Sequence, residues 1–252
     1  MGDKKLAGRV AVITGASRGL GKAMALALAA EGARLALVAR DQRQLEITAE
    51  ASRALGAEAE PYAADISSEE RVAGLEKEVA HRFGAVHILI NNAGVNVRKP
   101  ITEFTLEEWN RVVNTNLTSL FLMCRAMVPH MRGQGYGRII NLASTMAHVS
   151  IAHRTAYSSS KAGVLGFTRA LALELAPEGI AVTAISPGPF ATEMNAPLMN
   201  NPEINAQFVS KIPVGRWGKV EEIGKLAVYL CSEEAGFLTG TDIVIDGGWC
   251  AQ

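Results

Sequence analysis

The sequence predicts an α/β fold: a doubly wound, seven-stranded parallel sheet with helices on both faces. Three observations predict it. Short apolar runs alternate with longer amphipathic ones from the first residues almost to the last. The short runs are continuous stretches of Val, Ile, Leu and Ala rather than period-two alternations, the pattern of strands buried on both faces. The stretches between them suit crossover helices, and strand–helix–strand crossovers of one hand build a parallel sheet.

In order, the strand candidates are residues 9–14, 34–39, 57–64, 87–91, 137–143, 180–186 and 242–246. A first helix over 22–30 closes at Glu31-Gly32, and a second closes at Gly56 after Leu55, glycine being the residue that accepts the left-handed turn past a helix end. Asp41 is read as the N-cap of the second helix, with Gln44 completing a capping box. Ser67-Ser68-Glu69-Glu70 and Thr105-Leu106-Glu107-Glu108 are capping-box starts for the helices that follow. One stretch departs from the alternation: residues 188–220, rich in Pro, Asn and Met, come directly after a strand end. Long irregular segments in compact domains are lids, binding loops or mobile connectors, and this one is read as a substrate-loop insertion. No repeat, low-complexity linker or charge block divides the chain, so residues 1–252 read as a single domain.

Composition narrows the function. The 252 residues carry 25 Lys and Arg against 25 Asp and Glu. A formal charge of zero argues against a general grip on nucleic acid or anionic lipid, which needs a basic excess. With 48% hydrophobic and 20% charged residues, the chain is neither disordered nor membrane-embedded. No apolar run reaches the roughly 18 residues of a membrane span, and no apolar leader follows Met1. Cys124, Cys231 and Cys250 are too few and too scattered for a disulfide framework or a zinc site. The expectation is a cytoplasmic globular protein without a metal.

The first strand runs into Thr14-Gly15-Ala16-Ser17-Arg18-Gly19-Leu20-Gly21. Glycines there let the backbone turn sharply and let a pyrophosphate approach the free N–H groups of a helix start. The spacing is Gly-x₃-Gly-x-Gly, not the Gly-x-Gly-x₂-Gly of the usual dinucleotide fingerprint. Alone it is an ordinary tight turn; between a strand and a helix it points to dinucleotide binding. Cofactor choice is read at the end of the second strand, where an acid would hold a ribose 2′-hydroxyl. Ala39 stands in that place and Arg40 follows it, while Arg18 could close on the same point. Two guanidiniums suit a 2′-phosphate through forked hydrogen bonds, which favours NADP(H) over NAD(H). The competing readings are Asp41 as the ribose acid and Arg40 as a solvated surface charge.

Tyr157 and Lys161 are spaced i, i+4 on a predicted helix, which puts both side chains on one face with Cβ atoms about 5–6 Å apart. A free tyrosine titrates near pKa ~10, and a neighbouring ammonium lowers that value. The pair alone is also a common surface pattern. Ser144 ends the fifth strand, at the carboxyl edge where open α/β sheets bind ligands, and Asn91-Asn92-Ala93-Gly94 ends the fourth at the same edge. Asn116 lies inside a long helix, where it has no propensity reason to be.

With these residues in this order, the chain resembles the short-chain dehydrogenases/reductases, an extended Rossmann-fold family that keeps catalysis inside the cofactor domain. The resemblance covers about residues 6–248 and rests on residues 14–21, Asp65, 91–94, Asn116, Ser144, Tyr157-x₃-Lys161 and Pro187-Gly188-x₃-Thr192. It implies that Tyr157 is the general acid in reduction and the base in oxidation. Lys161 would hold the nicotinamide ribose and depress the tyrosine pKa, Ser144 would orient the carbonyl, and Asn116 would support a proton-relay water. Asp65 would meet the adenine, with Ile66 in the same cofactor site, and Asn92, Ala93 and Gly94 would pack beside adenine and ribose. Gly15, Ser17, Arg18, Gly19, Leu20 and Gly21 would form the phosphate loop. Pro187, Gly188, Phe190 and Thr192 would hold the carboxamide end of nicotinamide. Asp65 and Asn92 are also loop-capping residues in their own right.

The substrate is less legible. The overall pattern resembles the 3-oxoacyl-carrier-protein reductases, although Pro129 and Leu173 stand where that subgroup presents basic residues. A second resemblance is to sugar-acid dehydrogenases of the gluconate 5-dehydrogenase type. Arg98, Lys99, His148, His153 and Arg154 could hold a carboxylate or hydroxyls near the site, or be solvated loop charges. Met146, Phe190, Met194, Leu198 and Met199 would make an adaptable apolar wall. The reading is an NADPH-dependent carbonyl reductase of small molecules; a non-catalytic sensor would have no need of the Asn116, Ser144, Tyr157 and Lys161 set. The resemblance also implies a homotetramer, built through the helices around 105–131 and 156–176 and the last strand, where Leu120, Phe121, Met123 and residues 165–175 are apolar over more than one stripe.

Overall fold

The seven apolar runs form seven parallel strands of one sheet in the computed structural model, which describes residues 4–193 and 195–251. They are β1 (Val10–Thr14), β2 (Arg34–Ala39), β3 (Ala59–Ala63), β4 (Ile88–Asn91), β5 (Gly137–Leu142), β6 (Ile180–Pro187) and β7 (Asp242–Ile245). Their order is β3-β2-β1-β4-β5-β6-β7. The chain winds outward from β1 in one direction and then, through β4, in the other. That reversal leaves a crevice at the carboxyl ends of β1 and β4.

The helices are α1 (Gly19–Ala30), α2 (Gln42–Ala54), α3 (Glu69–Phe83), α4 (Leu106–Val113), α5 (Ser119–Met127), α6 (Thr155–Leu175), α7 (Ala196–Met199), α8 (Pro202–Val209) and α9 (Val220–Cys231). Alternate strand residues face opposite layers. Ala11, Ile13, Leu35 and Leu37 pack with Met24 and Leu28 of α1, Leu45 of α2 and Ile223 of α9. Val10, Val12, Ala36 and Val38 pack on the other side with Leu75 of α3, Met123 of α5 and Ala172 of α6. Each fully buried Leu, Ile or Met contributes about 1.5–3 kcal/mol from lost apolar exposure, so these two layers hold the sheet and its carboxyl edge rigid. No helix among the described residues is long and apolar enough to cross a membrane.

Several boundaries differ from expectation, each for a local reason. Helix α1 begins at Gly19 rather than residue 22, so the end of the glycine loop is already the first helical turn. Asp41 caps α2, accepting from the Arg43 and Gln44 N–H groups at 3.1 Å, but no bond returns from the Gln44 side chain among the described residues. Ser68 caps α3 alone, because the third helical residue is Arg71 and offers no carboxylate; Ser67 turns back to Asp65 instead. The Thr105–Glu108 box is present in both directions at 3.1 Å. Residues 188–220 are not irregular throughout. They carry α7 and α8, the latter started by Asn201 and Pro202.

Candidate active site

A cavity of about 750 Å³ runs along the carboxyl edge of the sheet, from the glycine loop to the start of α6. At one end the loop after β1 turns through Gly15, whose φ of 65° lies in the left-handed region. Gly21 packs against that turn: a Cβ there would lie 2.2 Å from the Gly15 carbonyl oxygen. Asn92 braces the loop from the end of β4, its side-chain amide donating to the Thr14 carbonyl at 2.9 Å and the Gly15 carbonyl at 3.2 Å. The Thr14 hydroxyl in turn accepts from the Asn92 and Ala93 N–H groups. These bonds hold the α1 N-terminus toward the cavity, where Arg18 makes no side-chain capping bond.

Arg18 and Arg40 are exposed on this same wall, and neither is ion-paired among the described residues. Asp41 is engaged by α2. Asp65 accepts from the Ser67 N–H at 3.0 Å and hydroxyl at 2.6 Å. Those bonds, with the charge of Arg40 behind them, hold its carboxyl below the usual carboxylate range. Ile66 lines the cavity beside it.

At the other end, Ser144 leaves β5 and its hydroxyl accepts from the Met146 N–H at 3.1 Å. Tyr157 lies in the first turn of α6 and Lys161 one turn on. The Lys161 ammonium donates to the Leu142 carbonyl at 2.5 Å and sits 5.8 Å from the Tyr157 ring centre. Burial pulls the Lys161 pKa down to about 8. Burial pushes the Tyr157 phenol up, opposed by the nearby Ser144 hydroxyl and by the charges of Arg154 and Arg98. Lys161, expected to lower the tyrosine, stands over its ring but spends its hydrogen bond on the backbone. The ammonium is aimed at the Leu142 carbonyl, and Arg154 and Arg98 add positive charge near the phenol.

Asn116 is also placed differently. It sits in a π turn, Asn114–Thr118, between α4 and α5, and is fully buried behind the cavity wall. Its amide donates to the Val95 carbonyl at 2.9 Å and the Ser160 hydroxyl at 3.0 Å, and its oxygen accepts from the Val95 N–H at 2.8 Å. Those contacts clamp the segment after Gly94 onto α6. Gly21 likewise lies behind the wall, at the packing contact with Gly15. The other residues singled out from the sequence as site residues line the cavity: Gly15, Ser17, Arg18, Gly19, Leu20, Arg40, Asp65, Ile66, Asn92, Ala93, Gly94, Ser144, Tyr157, Lys161, Pro187, Gly188, Phe190 and Thr192.

The basic candidates for substrate contact separate. Lys99 is drawn to Glu108. His148 is held by Asp242 at 2.6 Å and lies 3.3 Å from the Ser186 hydroxyl. His153 is exposed, with a φ of 67°, and does not border the cavity. Arg98 and Arg154 do border it. Of the apolar wall, Met146 and Phe190 line the cavity, Leu198 and Met199 do not, and Met194 lies outside the described residues. Phe208, Trp217 and Trp249 take their place: Phe208 stacks on Trp217 at 4.8 Å and on Trp249 at 5.2 Å. The signal for these was available, since two of only three tryptophans fall in or after the 188–220 segment.

A family model described as Enoyl-(Acyl carrier protein) reductase matches residues 15–250. The acetoacetyl-CoA reductase of Shinella zoogloeoides is 41% identical over 245 residues, 95% of this chain and 98% of that one. A structure from Agrobacterium tumefaciens, provisionally assigned as a gluconate dehydrogenase, superposes with a TM-score of 0.95 at 38% identity over 100% of both chains. A provisionally assigned NAD(P)-dependent gluconate 5-dehydrogenase from Beutenbergia cavernae, solved with NADP bound at low occupancy, superposes with a TM-score of 0.93 at 36% identity, again over 100% of both. Sheet order, glycine loop and the Ser144, Tyr157 and Lys161 group therefore have one account: this chain belongs to the short-chain dehydrogenase/reductase family.

Proposed function

We propose that this protein is an NADP(H)-dependent oxidoreductase that transfers hydride between nicotinamide and a carbonyl or secondary alcohol of a small molecule, with Tyr157 as general acid and base. The observation that carries the reading is one cavity with two guanidiniums, Arg18 and Arg40, that no acid pairs among the described residues, at one end and Ser144, Tyr157 and Lys161 at the other. A phosphorylated dinucleotide fits this cavity. Glycines 15 and 19 keep the loop backbone open to it, the α1 N–H groups face a pyrophosphate, and two forked cations suit a 2′-phosphate. The neighbouring structure with bound NADP supports the same choice.

When bound, the nicotinamide supplies the hydride in reduction and takes it in oxidation. Tyr157 gives its phenolic proton to the substrate oxygen as charge gathers there, and recovers it in the reverse direction. The Ser144 hydroxyl, which lines the cavity with the phenol, points the carbonyl at it. Arg154 and Arg98 oppose, without cancelling, the burial that raises the phenol. Lys161 is poised, with a pKa of about 8, to grip ribose hydroxyls and share protons beside the tyrosine. Asn116 acts as a positioning residue through Val95 and Ser160.

Residues 188–220 serve as the substrate-covering segment of a single-domain enzyme. Phe190 anchors one end, and the Ala191 N–H donates to the Gly218 carbonyl at 2.9 Å to tie both ends together. The active form is a homotetramer acting in the cytoplasm, where the free thiols of Cys124, Cys231 and Cys250 suit a reducing environment. Tyr157→Phe should bind NADPH with little change and lose nearly all turnover across a panel of ketones, β-ketoesters and ketogluconates. Retained turnover in that variant overturns the assignment, and tight NADPH binding without turnover in the wild type points to a sensor instead.

A further inference from the structure

The catalytic end of the cavity carries two cations whose positions the hydride transfer itself does not require. Arg98 stands in the loop after β4, and Arg154 is the N-cap residue of α6, three positions before Tyr157. Both border the cavity with Ser144 and Tyr157. The charge of each acts on the tyrosine phenol, and that of Arg98 acts on Arg154. Neither is ion-paired among the described residues. Their basic neighbours have found acids: Lys99 has Glu108, and His148 has Asp242. The carboxylates that border the cavity lie elsewhere, with Asp41 and Asp65 held at the Arg40 end and Glu193 beside Gly19.

Within the chain alone this arrangement is unfavourable. A cation at a helix N-terminus opposes the helix dipole at a cost of about 0.3–1 kcal/mol, and Arg154 makes no capping bond to offset it. Placing a second guanidinium near the first adds repulsion, and partial burial adds desolvation. Local rules are broken in this way at functional sites, where a ligand supplies the missing partner. An anion between the two guanidiniums would relieve all three costs through forked, charge-assisted hydrogen bonds.

We propose that Arg98 and Arg154 form the seat for a carboxylate carried by the substrate itself, so that the enzyme acts on keto acids and hydroxy acids rather than neutral ketones. The inference rests on the reading of Tyr157 as the reacting group. Phosphate on a thioester carrier shares the same oxyanion chemistry. A carrier phosphate, however, lies many bonds from the reacting carbonyl, whereas both arginines line the cavity with Ser144 and Tyr157, and Arg154 starts the helix that carries the tyrosine. The anion therefore belongs a few bonds from the carbon that exchanges hydride.

The test is calorimetric binding to the NADP⁺-loaded protein of D-gluconate and D-glucitol, which differ only in a carboxylate against a hydroxymethyl group, with acetoacetyl-CoA as a third titrant. The wild type should favour gluconate over glucitol at least tenfold. Arg98→Met and Arg154→Met should each cut that ratio about tenfold, and Arg154→Lys should restore part of it. Equal binding of the two probes by the wild type, or a ratio unmoved in both variants, overturns the proposal. Weakened acetoacetyl-CoA binding with an unmoved ratio assigns the seat to a carrier phosphate and overturns it equally. Because binding is read without turnover, the two readings fail separately. Discrimination by a protein inert in both directions sinks the hydride-transfer reading alone, and turnover of neutral ketones without discrimination sinks the carboxylate seat alone.

Discussion

Lys161 is a cation held almost wholly out of water, bonded to one carbonyl and paired with no carboxylate among the described residues. Burial brings its pKa down from 10.5 to about 8. A group whose folded pKa is lowered in this way binds fewer protons when folded, so between about pH 8 and 10.5 the unfolded chain holds the extra proton and stability rises with pH. Below that window the charged lysine costs on the order of 3 kcal/mol. Lys161→Met should therefore gain stability relative to wild type at pH 7, and thermal unfolding should show the gap narrowing as pH rises toward 10. A gap independent of pH would place the ammonium in a far more solvated setting. At the cavity's other end, Arg18→Ala with Arg40→Ala should weaken NADPH binding at least tenfold more than NADH binding, measured by fluorescence titration. Equal losses for both cofactors would mean that neither arginine meets a 2′-phosphate. The residue types, and the helical spacing of Tyr157 and Lys161, were readable in the sequence. The direction of the lysine's bond and the sources of charge on the phenol were not, because both depend on what packs above the helix.

Element boundaries were legible wherever a cap acts within a few residues. Thr105 with Glu108 and Asp41 with its two N–H donors are such cases. The caps at Asp41 and Ser68 hold without the reciprocal half of the box read from the sequence, Ser68 because its third helical residue is an arginine. The π turn at Asn114–Thr118 has no local sequence signature beyond a misplaced asparagine. It widens one turn so that Asn116 reaches both Val95 and Ser160, joining the loop after β4 to α6. Asn116→Ala removes two bonds to the half-buried Val95 backbone and one to the buried Ser160 hydroxyl, and should destabilise the fold by about 2 kcal/mol in urea unfolding. As a positioning change it should also lower kcat more than it raises the KM for NADPH. An effect on stability with kcat intact would reduce the clamp to a structural tie. The 188–220 segment reads as loop from its Pro and Asn content, yet those same residues start α8, with Asn201 as cap and Pro202 as first helical residue.

The neutral whole conceals an uneven surface. Leu106, Leu173 and Phe237 are exposed at 74%, 80% and 103%, on α4, on α6 and just before β7. These are the regions through which a homotetramer would assemble, and covering such side chains is the usual way a soluble chain manages them. Sedimentation equilibrium should give a tetramer, and Leu173→Asp should shift it to smaller species; a wild-type monomer would reject that assembly. Across the molecule, the sequence by itself determined the strands, most helix starts, the glycine loop and the helical pairing of Tyr157, the tyrosine proposed to react, with Lys161. Each of these depends on periodicity, on capping, or on side chains one turn apart, all set by neighbours along the chain. Which charges remain free was decided only by the tertiary structure. Lys99, His148, Arg98 and Arg154 read alike as loop cations, and among the described residues packing gave acids to the first two and none to the last two. Charge pairing is a matter of distance and dielectric between segments remote in sequence, and those are fixed only once the sheet has brought its carboxyl edge together.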